Sequence, residues 1–333
     1  MSNINCLENK TVLITGGTGS FGKNFIKHLL INSKAKKIIV FSRDELKQFN
    51  MARELNDERL RFFIGDVRDK DRLMRAFYGV DIVIHAAALK QVPTIEYNPF
   101  EAVKTNILGS QNVIDAAIDQ GVEKVLLIST DKAAQPINLY GSTKLCAEKL
   151  FISGNAYSGG KTRFSCVRYG NVIGSRGSIV ETLVNKPKGE KVLITDERMT
   201  RFWLILEQSF VLVLFALDNM VGGEIFIPKV PSMKIIDIID IITPDSIREI
   251  IGIRPGEKVH EMLLTREESR HAVALDKYFV IIPEHKEIFN MDNFKKYTDK
   301  GEGLPQDYYF ASDTNENWLS DDDFREIVEN LKV

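Results

Sequence analysis

The chain has 333 residues, 44% of them hydrophobic, with 44 Lys or Arg against 46 Asp or Glu for a formal net charge of -2. That is enough apolar material for one large core or two smaller ones, and the near balance of charge excludes a long-range field for nucleic acid or an anionic membrane surface. Three cysteines without a CxxC pair read as reduced thiols of a cytoplasmic protein, and the five scattered histidines show no metal-ligand spacing.

The N-terminal "MSNINCLENK" has no apolar stretch behind it and does not read as a secretory signal. Val12 to Ile14 form the first strand candidate. Thr15 to Gly22, "TGGTGSFG", is a glycine-rich turn leading into "KNFIKHLLI", whose apolar residues recur at helical spacing. Between a strand and a helix, Gly16, Gly19 and Gly22 suit a dinucleotide pyrophosphate. Gly16 makes the tight turn, Gly19 admits the ligand and Gly22 lets helix meet strand, with Thr18, Ser20 and Phe21 on the same turn.

"KKIIVFS" is the second strand, ending near Ser42. Arg43 follows at the position that distinguishes cofactors, and its planar fork suits a 2′-phosphate, so NADP is the expected dinucleotide. Asp44, one position on, leaves recognition of ribose hydroxyls open. A helix is expected over 45–55, a third strand in "LRFFIGDVRD", with Asp66 and Val67 beside the adenine, and a second helix over 70–77. The fourth strand, "VDIVIHAAA", ends in small residues where the chain passes the cofactor, Ala86 and Ala87 among them. His85 reads equally as a cofactor neighbour or as a packed strand-end histidine.

A helix is expected over 102–120. The fifth strand, "VEKVLLIST", ends at Thr130, which can hydrogen-bond a sugar hydroxyl or its oxidised oxygen. A helix over 141–157 and a sixth strand in "RFSCVRYGNVIG" follow. Strands at this interval, each followed by a helix, imply an α/β fold: a doubly wound, Rossmann-like parallel sheet. Past Gly170 the alternation fails. "FVLVLFAL" reads as a buried helix too short to span a membrane, "GGEIFIPK" as a strand and "SMKIIDIIDIIT" as a helix. The expected division is a dinucleotide-binding domain over 1–170, with contributions from about 202–228. Residues 171–333 then form mainly a smaller, interleaved α/β substrate-binding region walling a cleft at the strands' carboxyl ends.

Tyr140 and Lys144 are four apart and share one helix face. An ammonium there lowers the phenol's pKa, so that Tyr140 can take a hydroxyl proton while a hydride leaves the same carbon. Asp131 and Lys132, between the strand and that helix, read either as a surface ion pair or as an acid–base pair.

The chain resembles the extended short-chain dehydrogenases/reductases through "TGGTGSFG", "YGSTK" and "NVIG". Within that superfamily it resembles the inverting UDP-N-acetylglucosamine 4,6-dehydratases. That likeness rests on "FSRDELKQF", "HAAALKQVP", "LLISTDKAAQPINLYGSTK", "RYGNVIGSRGS", "ITDERMTRFW" and "IGIRPGEKVHE", in this order. The resemblance implies oxidation at carbon 4 of the sugar and removal of the carbon-5 proton by Lys132. Asp131 then assists loss of the carbon-6 hydroxyl, and a hydride returns to carbon 6 with inversion at carbon 5.

Those roles require a neutral Lys132, its pKa depressed by burial and by Lys90 and Lys144, and a protonated Asp131. The resemblance also assigns Lys90, Asn171, Arg176, Thr195, Arg201, Arg254 and Glu257 to the nucleotide sugar. It implies a homo-oligomer, hexameric in some members. One departure is Glu181, where the family has proline. The alternatives are an NADP-dependent nucleotide-sugar 4-epimerase or 4-reductase using the same Tyr140 and Lys144, and a non-catalytic dinucleotide-binding regulator.

Overall fold

The computed structural model describes residues 5–175, 177–187 and 189–331. Its frame is a ten-stranded sheet. From one edge run β3 (Leu60–Ile64), β2 (Lys37–Ser42), β1 (Thr11–Thr15), β4 (Ile82–His85), β5 (Lys124–Thr130) and β6 (Arg163–Tyr169), followed by Ile225–Pro228, all parallel. Tyr278–Ile281 then pairs antiparallel with Ile225–Pro228, and Ala272–Ala274 and Glu302–Gly303 complete the edge. The central strands are apolar on both faces, as a sheet covered by helices requires: β1 is buried throughout, and β2 along all but its first residue.

Helices α1 (Ser20–Asn32), α2 (Glu45–Leu55) and α3 (Lys70–Phe77) follow the first three strands. Asp44 and Asp69 accept from Lys47 N–H and Arg72 N–H and so cap α2 and α3. The helix expected over 102–120 is one continuous rod of mixed pitch. Pro99–Ala102 is α-helical, Val103–Leu108 widens to a π-helix, and Gly109–Gln120 is α-helical again. The helix Leu139–Tyr157 begins two residues earlier than expected because Asn138 caps it, accepting from Gly141 N–H. "FVLVLFAL" lies in the buried helix Leu206–Asn219, packed against the sheet.

The reversal of strand order between β1 and β4 is the topological switch point, where such sheets bind ligands. The smaller region faces it. Asn171–Val172, Thr200–Leu204 and Ser232–Lys234 form a three-stranded sheet, and Val192–Ile194 pairs with Arg248–Ile250. These pack around a second apolar cluster that includes Trp203, Ile238 and Phe324. Among the described residues no helix is long and apolar enough to cross a membrane.

Candidate active site

A cleft of about 1430 Å³ runs along the carboxyl ends of the strands, between the large sheet and the smaller region. That volume exceeds the usual single-ligand pocket of roughly 300–1,000 Å³ and leaves room for two ligands side by side.

One half is built by the glycine turn. Gly16 has φ +67°, and a Cβ there would lie 2.9 Å from the Ala87 nitrogen. A Cβ on Gly22 would meet the Gly16 carbonyl oxygen at 2.6 Å. The turn is thus compressed between β4 and α1, and only glycine fits at either position. Gly19 stands at the N-cap of α1, offers no side-chain cap, and lines the cleft with Ser20 and Phe21. A helix start opening into a cleft suits an anion, so these residues fit a dinucleotide pyrophosphate. Thr18 and Val67 are buried behind the wall, and Ala86 lines it. Ala87 holds its turn by donating N–H to Thr15 Oγ1 at 3.2 Å.

The residues expected to choose the cofactor are otherwise engaged. Ser42 Oγ accepts from Gln48 Nε2 at 3.0 Å. Arg43 faces the Asp66 carboxylate at 3.6 Å, and Asp66 is paired more closely with Arg68, at 2.7 Å. These cations hold the Asp66 carboxyl below its usual range against the opposing effect of burial. The guanidinium expected to meet a 2′-phosphate therefore meets a carboxylate.

His85 belongs to the core. It is 1% exposed, stacks on Phe151, and bonds Thr15 Oγ1 at 2.7 Å and Ser110 Oγ at 3.2 Å.

The other half gathers the acid–base candidates. Thr130, Asp131, Lys132, Tyr140 and Lys144 all line the cleft. Thr130 Oγ1 donates to Asp131 Oδ1 at 2.9 Å, and its hydroxyl favours the ionised form of Tyr140. Lys132 Nζ donates to the same Asp131 oxygen at 3.1 Å and reaches Glu261 Oε1 at 3.1 Å. Asp131 is 1% exposed, and its Oδ2 has no hydrogen-bond partner among the described residues. Burial, reinforced by Glu261, raises its pKa in spite of the Lys132 charge.

Two electrostatic expectations are corrected here. Lys132 was to be neutral, but its pKa is raised. Burial alone would lower it; the Asp131 and Glu261 carboxylates outweigh burial and hold the ammonium. Tyr140 was to be acidified by Lys144, but burial pushes it up to about 12, and the cation opposing that is Lys132. Lys144 instead donates to the Ile128 carbonyl at 2.7 Å, and burial brings it down to about 8 although Glu148 favours its charge.

On the sugar side Lys90, Asn171, Thr195, Arg201, Arg254 and Glu257 line the cleft; Arg176 lies outside the described residues. Arg201 is 7% exposed, its guanidinium anchored on the carbonyls of Thr200, Val259 and Lys258. Glu257 Oε2 accepts from Arg254 N–H. Glu181, at the departure from the resembled family, lies in the short helix Ile179–Val184 and accepts from Gly177 N–H.

Sequence reasoning missed Glu261 and Lys258. Both stand in the quoted "IGIRPGEKVHE", but nothing local marks Glu261 as a partner of Lys132 or Lys258 as a neighbour of Glu261.

Comparison with known proteins follows the same lines. Residues 12–283 match the family described as Polysaccharide biosynthesis protein. A UDP-N-acetylglucosamine 4,6-dehydratase (inverting) of Campylobacter jejuni is 50% identical over 96% of this chain and 97% of that protein. A UDP-glucose 4-epimerase of Rickettsia conorii is 45% identical over 90% of each. The solved structure of Pen from Bacillus thuringiensis superposes with a TM-score of 0.88 at 38% identity, covering 98% of this chain and 99% of that one. DesIV, a dTDP-glucose 4,6-dehydratase of Streptomyces venezuelae solved with NAD and TYD bound, shares the fold. Its TM-score is 0.68 at 22% identity, over 75% of this chain and 86% of that one. NAD is also the dinucleotide in the MoeE5 complexes and in a Bacillus cereus UDP-glucuronic acid 4-epimerase of the same fold. Together with the Arg43–Asp66 pairing, this overturns the expectation of NADP, for the cofactor and for the enzyme class alike.

Proposed function

The chain belongs to the family of polysaccharide biosynthesis proteins and has the extended short-chain dehydrogenase/reductase fold, and from that premise we propose that it is an NAD-dependent UDP-N-acetylglucosamine 4,6-dehydratase that inverts carbon 5. The observation carrying this reading is the buried Asp131–Lys132 pair, one carboxylate oxygen unpartnered, in the same cleft as Tyr140. An epimerase or reductase needs Tyr140 and Lys144 but has no use for that pair.

The dinucleotide, when bound, supplies the acceptor and then the donor of a hydride. Tyr140, as phenolate, takes the carbon-4 hydroxyl proton; the Lys132 charge favours that form against burial. The ketone at carbon 4 acidifies the proton on carbon 5. One proton moved across the 3.1 Å contact from Lys132 Nζ to Asp131 converts the resting ion pair into a neutral base and a neutral acid. Lys132 takes the carbon-5 proton, and Asp131 protonates the departing carbon-6 hydroxyl, which leaves as water. After the hydride reaches carbon 6, Lys132 returns a proton to carbon 5. Thr130, bonded to Asp131 and lining the cleft beside Tyr140, provides the path by which the phenol proton restores the acid. Lys90, Asn171, Arg201 and Arg254 hold the UDP-sugar.

Incubation with UDP-N-acetylglucosamine in deuterated water, followed by mass spectrometry and NMR, tests the reading. Loss of water, a 6-methyl signal and deuterium at carbon 5 of an L-arabino product are expected. Retained mass with a changed carbon 4 would favour the 4-epimerase, the activity named for the Rickettsia relative. Lys132→Ala should abolish carbon-5 exchange while keeping dinucleotide binding; normal turnover in that variant sinks the base assignment. Mass spectrometry of the released dinucleotide should show NAD, and a 2′-phosphate would overturn that part. We place the protein in the cytoplasm as a homo-oligomer, which sedimentation of the purified chain reads directly.

A further inference from the structure

Glu261 is 2% exposed, yet it lines the cleft with Lys132, Arg201 and Lys258. Its Oε1 lies 3.1 Å from Lys132 Nζ and 3.9 Å from Arg201 Nε, and its Oε2 lies 3.8 Å from Lys258 Nζ. Its backbone is clamped: Glu261 N–H donates to Ser312 Oγ at 3.0 Å, and Ser312 N–H donates to the Glu261 carbonyl at 2.8 Å. Ser312 is in turn bonded to Thr200, whose hydroxyl also meets His260 Nδ1. The carboxylate is thus fixed by the smaller region, while the amine it meets hangs on a flexible stem from the end of β5.

Glu148 offers an internal contrast. It is also fully buried, and its two oxygens accept from Ser129 and twice from Arg168. That is a saturated structural carboxylate. Glu261 Oε2, by comparison, has no hydrogen bond among the described residues. A buried, under-bonded carboxylate beside three cleft cations is costly to the fold, and a role in the reaction explains its presence.

We propose that Glu261 is a positioning residue for water elimination: it holds Lys132 at the reacting end of the cleft and sets the charge that Lys132 and Asp131 carry before the carbon-5 proton is taken. This rests on the dehydratase reading. Lys132 Nζ sits between two carboxylates at 3.1 Å each, one from β5 and one from the smaller region, so neither alone fixes it.

The groups facing Glu261 are Lys132 and Asp131 from the β5 turn, Arg201 from the strand Thr200–Leu204, Lys258 from its own loop, and Tyr140 across Lys132. Its negative charge favours the Lys132 ammonium and disfavours the Asp131 carboxylate. Removing that charge makes both groups more acidic. The base then becomes available at lower pH, and the acid is also lost at lower pH. Both limbs of the kcat profile move the same way, which a merely structural defect does not produce.

The test is the pH dependence of carbon-5 deuterium exchange and water loss from UDP-N-acetylglucosamine by the full-length protein. Wild type, Glu261→Gln and Glu261→Asp are compared, with bound dinucleotide and melting temperature measured alongside. Glu261→Gln should shift both limbs to lower pH by about one unit. Glu261→Asp, which keeps a retracted charge, should shift them less in the same direction. Unmoved limbs in Glu261→Gln overturn the role, whatever the loss in kcat. If that variant does not fold, unmoved limbs in Glu261→Asp overturn it. A wild type that releases no water overturns the dehydratase reading and this role with it; a wild type that dehydrates while the limbs stay put overturns only the role of Glu261.

Discussion

The protonation of His85 follows from the donors around it. Ala86 and Ala87 N–H both donate to Thr15 Oγ1, so that hydroxyl's own hydrogen goes to His85 Nδ1. Ser110 Oγ donates to the Asn106 carbonyl at 2.6 Å and so accepts from His85 Nε2–H. The network assigns the neutral Nε2–H tautomer. Burial holds the ring neutral down to about 3, with Lys144 acting in the same direction. The unfolded chain binds a proton at this position below its ordinary value of 6.5, and the native chain does not. Stability is therefore complete above 6.5 and falls as pH drops towards 3, at up to about 1.4 kcal/mol per pH unit. His85→Gln should be less stable than wild type at pH 7.5, and the gap should narrow by about 1.5 kcal/mol between pH 6.5 and 5. Urea midpoints at three pH values read this, and a constant gap rules it out.

At the scale of elements, the turn after β4 is held by a residue far along the chain. Asn106, on the π-helical stretch, donates to the Leu89 carbonyl at 2.9 Å and accepts from Leu89 N–H at 2.8 Å. It also bonds Thr143 on the helix that carries Tyr140 and Lys144. One amide thus locks the cofactor-side turn to the catalytic helix. Asn106→Ala leaves two half-buried backbone groups of Leu89 without their partner, at a cost of about 1–3 kcal/mol. It should weaken dinucleotide retention and lower kcat more than it raises KM for the sugar. Dialysis of the holoenzyme followed by kinetics checks both; unchanged retention would sink the clamp. Nothing in "VKTNILG" advertises this. The glycine turn and the Tyr140–Lys144 spacing were legible because their chemistry is local: a strand, a turn and one helical face put the groups together. Asn106 and Glu261 act across tertiary contacts, and Asn acquires that role only once the helix widens. The charge of Lys132 escapes the sequence in part for the same reason: the adjacent Asp131 favours its ammonium, and the second carboxylate that does so, Glu261, arrives from far along the chain.

At the scale of the molecule, the catalytic helix and the sheet are joined to the segment that follows Glu261 through a buried cation. Arg168, on β6 and fully buried, binds Glu148 of the catalytic helix with two nitrogens at 3.1 and 2.6 Å. It also binds both oxygens of Glu268, at 2.9 and 2.8 Å, and the Leu263 carbonyl at 3.1 Å. Glu268 completes the capping box that begins at Thr265, and the segment from Glu261 to Leu264 precedes it directly. The guanidinium therefore fixes the register between the helix bearing Tyr140 and the strand that follows Glu261. The order of strands was readable from alternation alone, but this joint was not, because an arginine in a strand reads as an exposed one. Removing it strands one buried carboxylate, Glu148, and one half-buried one, Glu268, and Arg168→Met should cost about 3–5 kcal/mol. If the joint aligns the two walls of the cleft, the surviving folded protein should keep its dinucleotide, held by β1 and α1. Its KM for the UDP-sugar should rise severalfold, because the wall presenting Arg201 and Glu261 loses its tether. Isothermal unfolding together with separate titrations of dinucleotide and UDP-sugar would show this split. Equal losses of both ligands would mean that Arg168 stabilises the sheet alone and leaves the alignment of the second wall to the packing around Trp203.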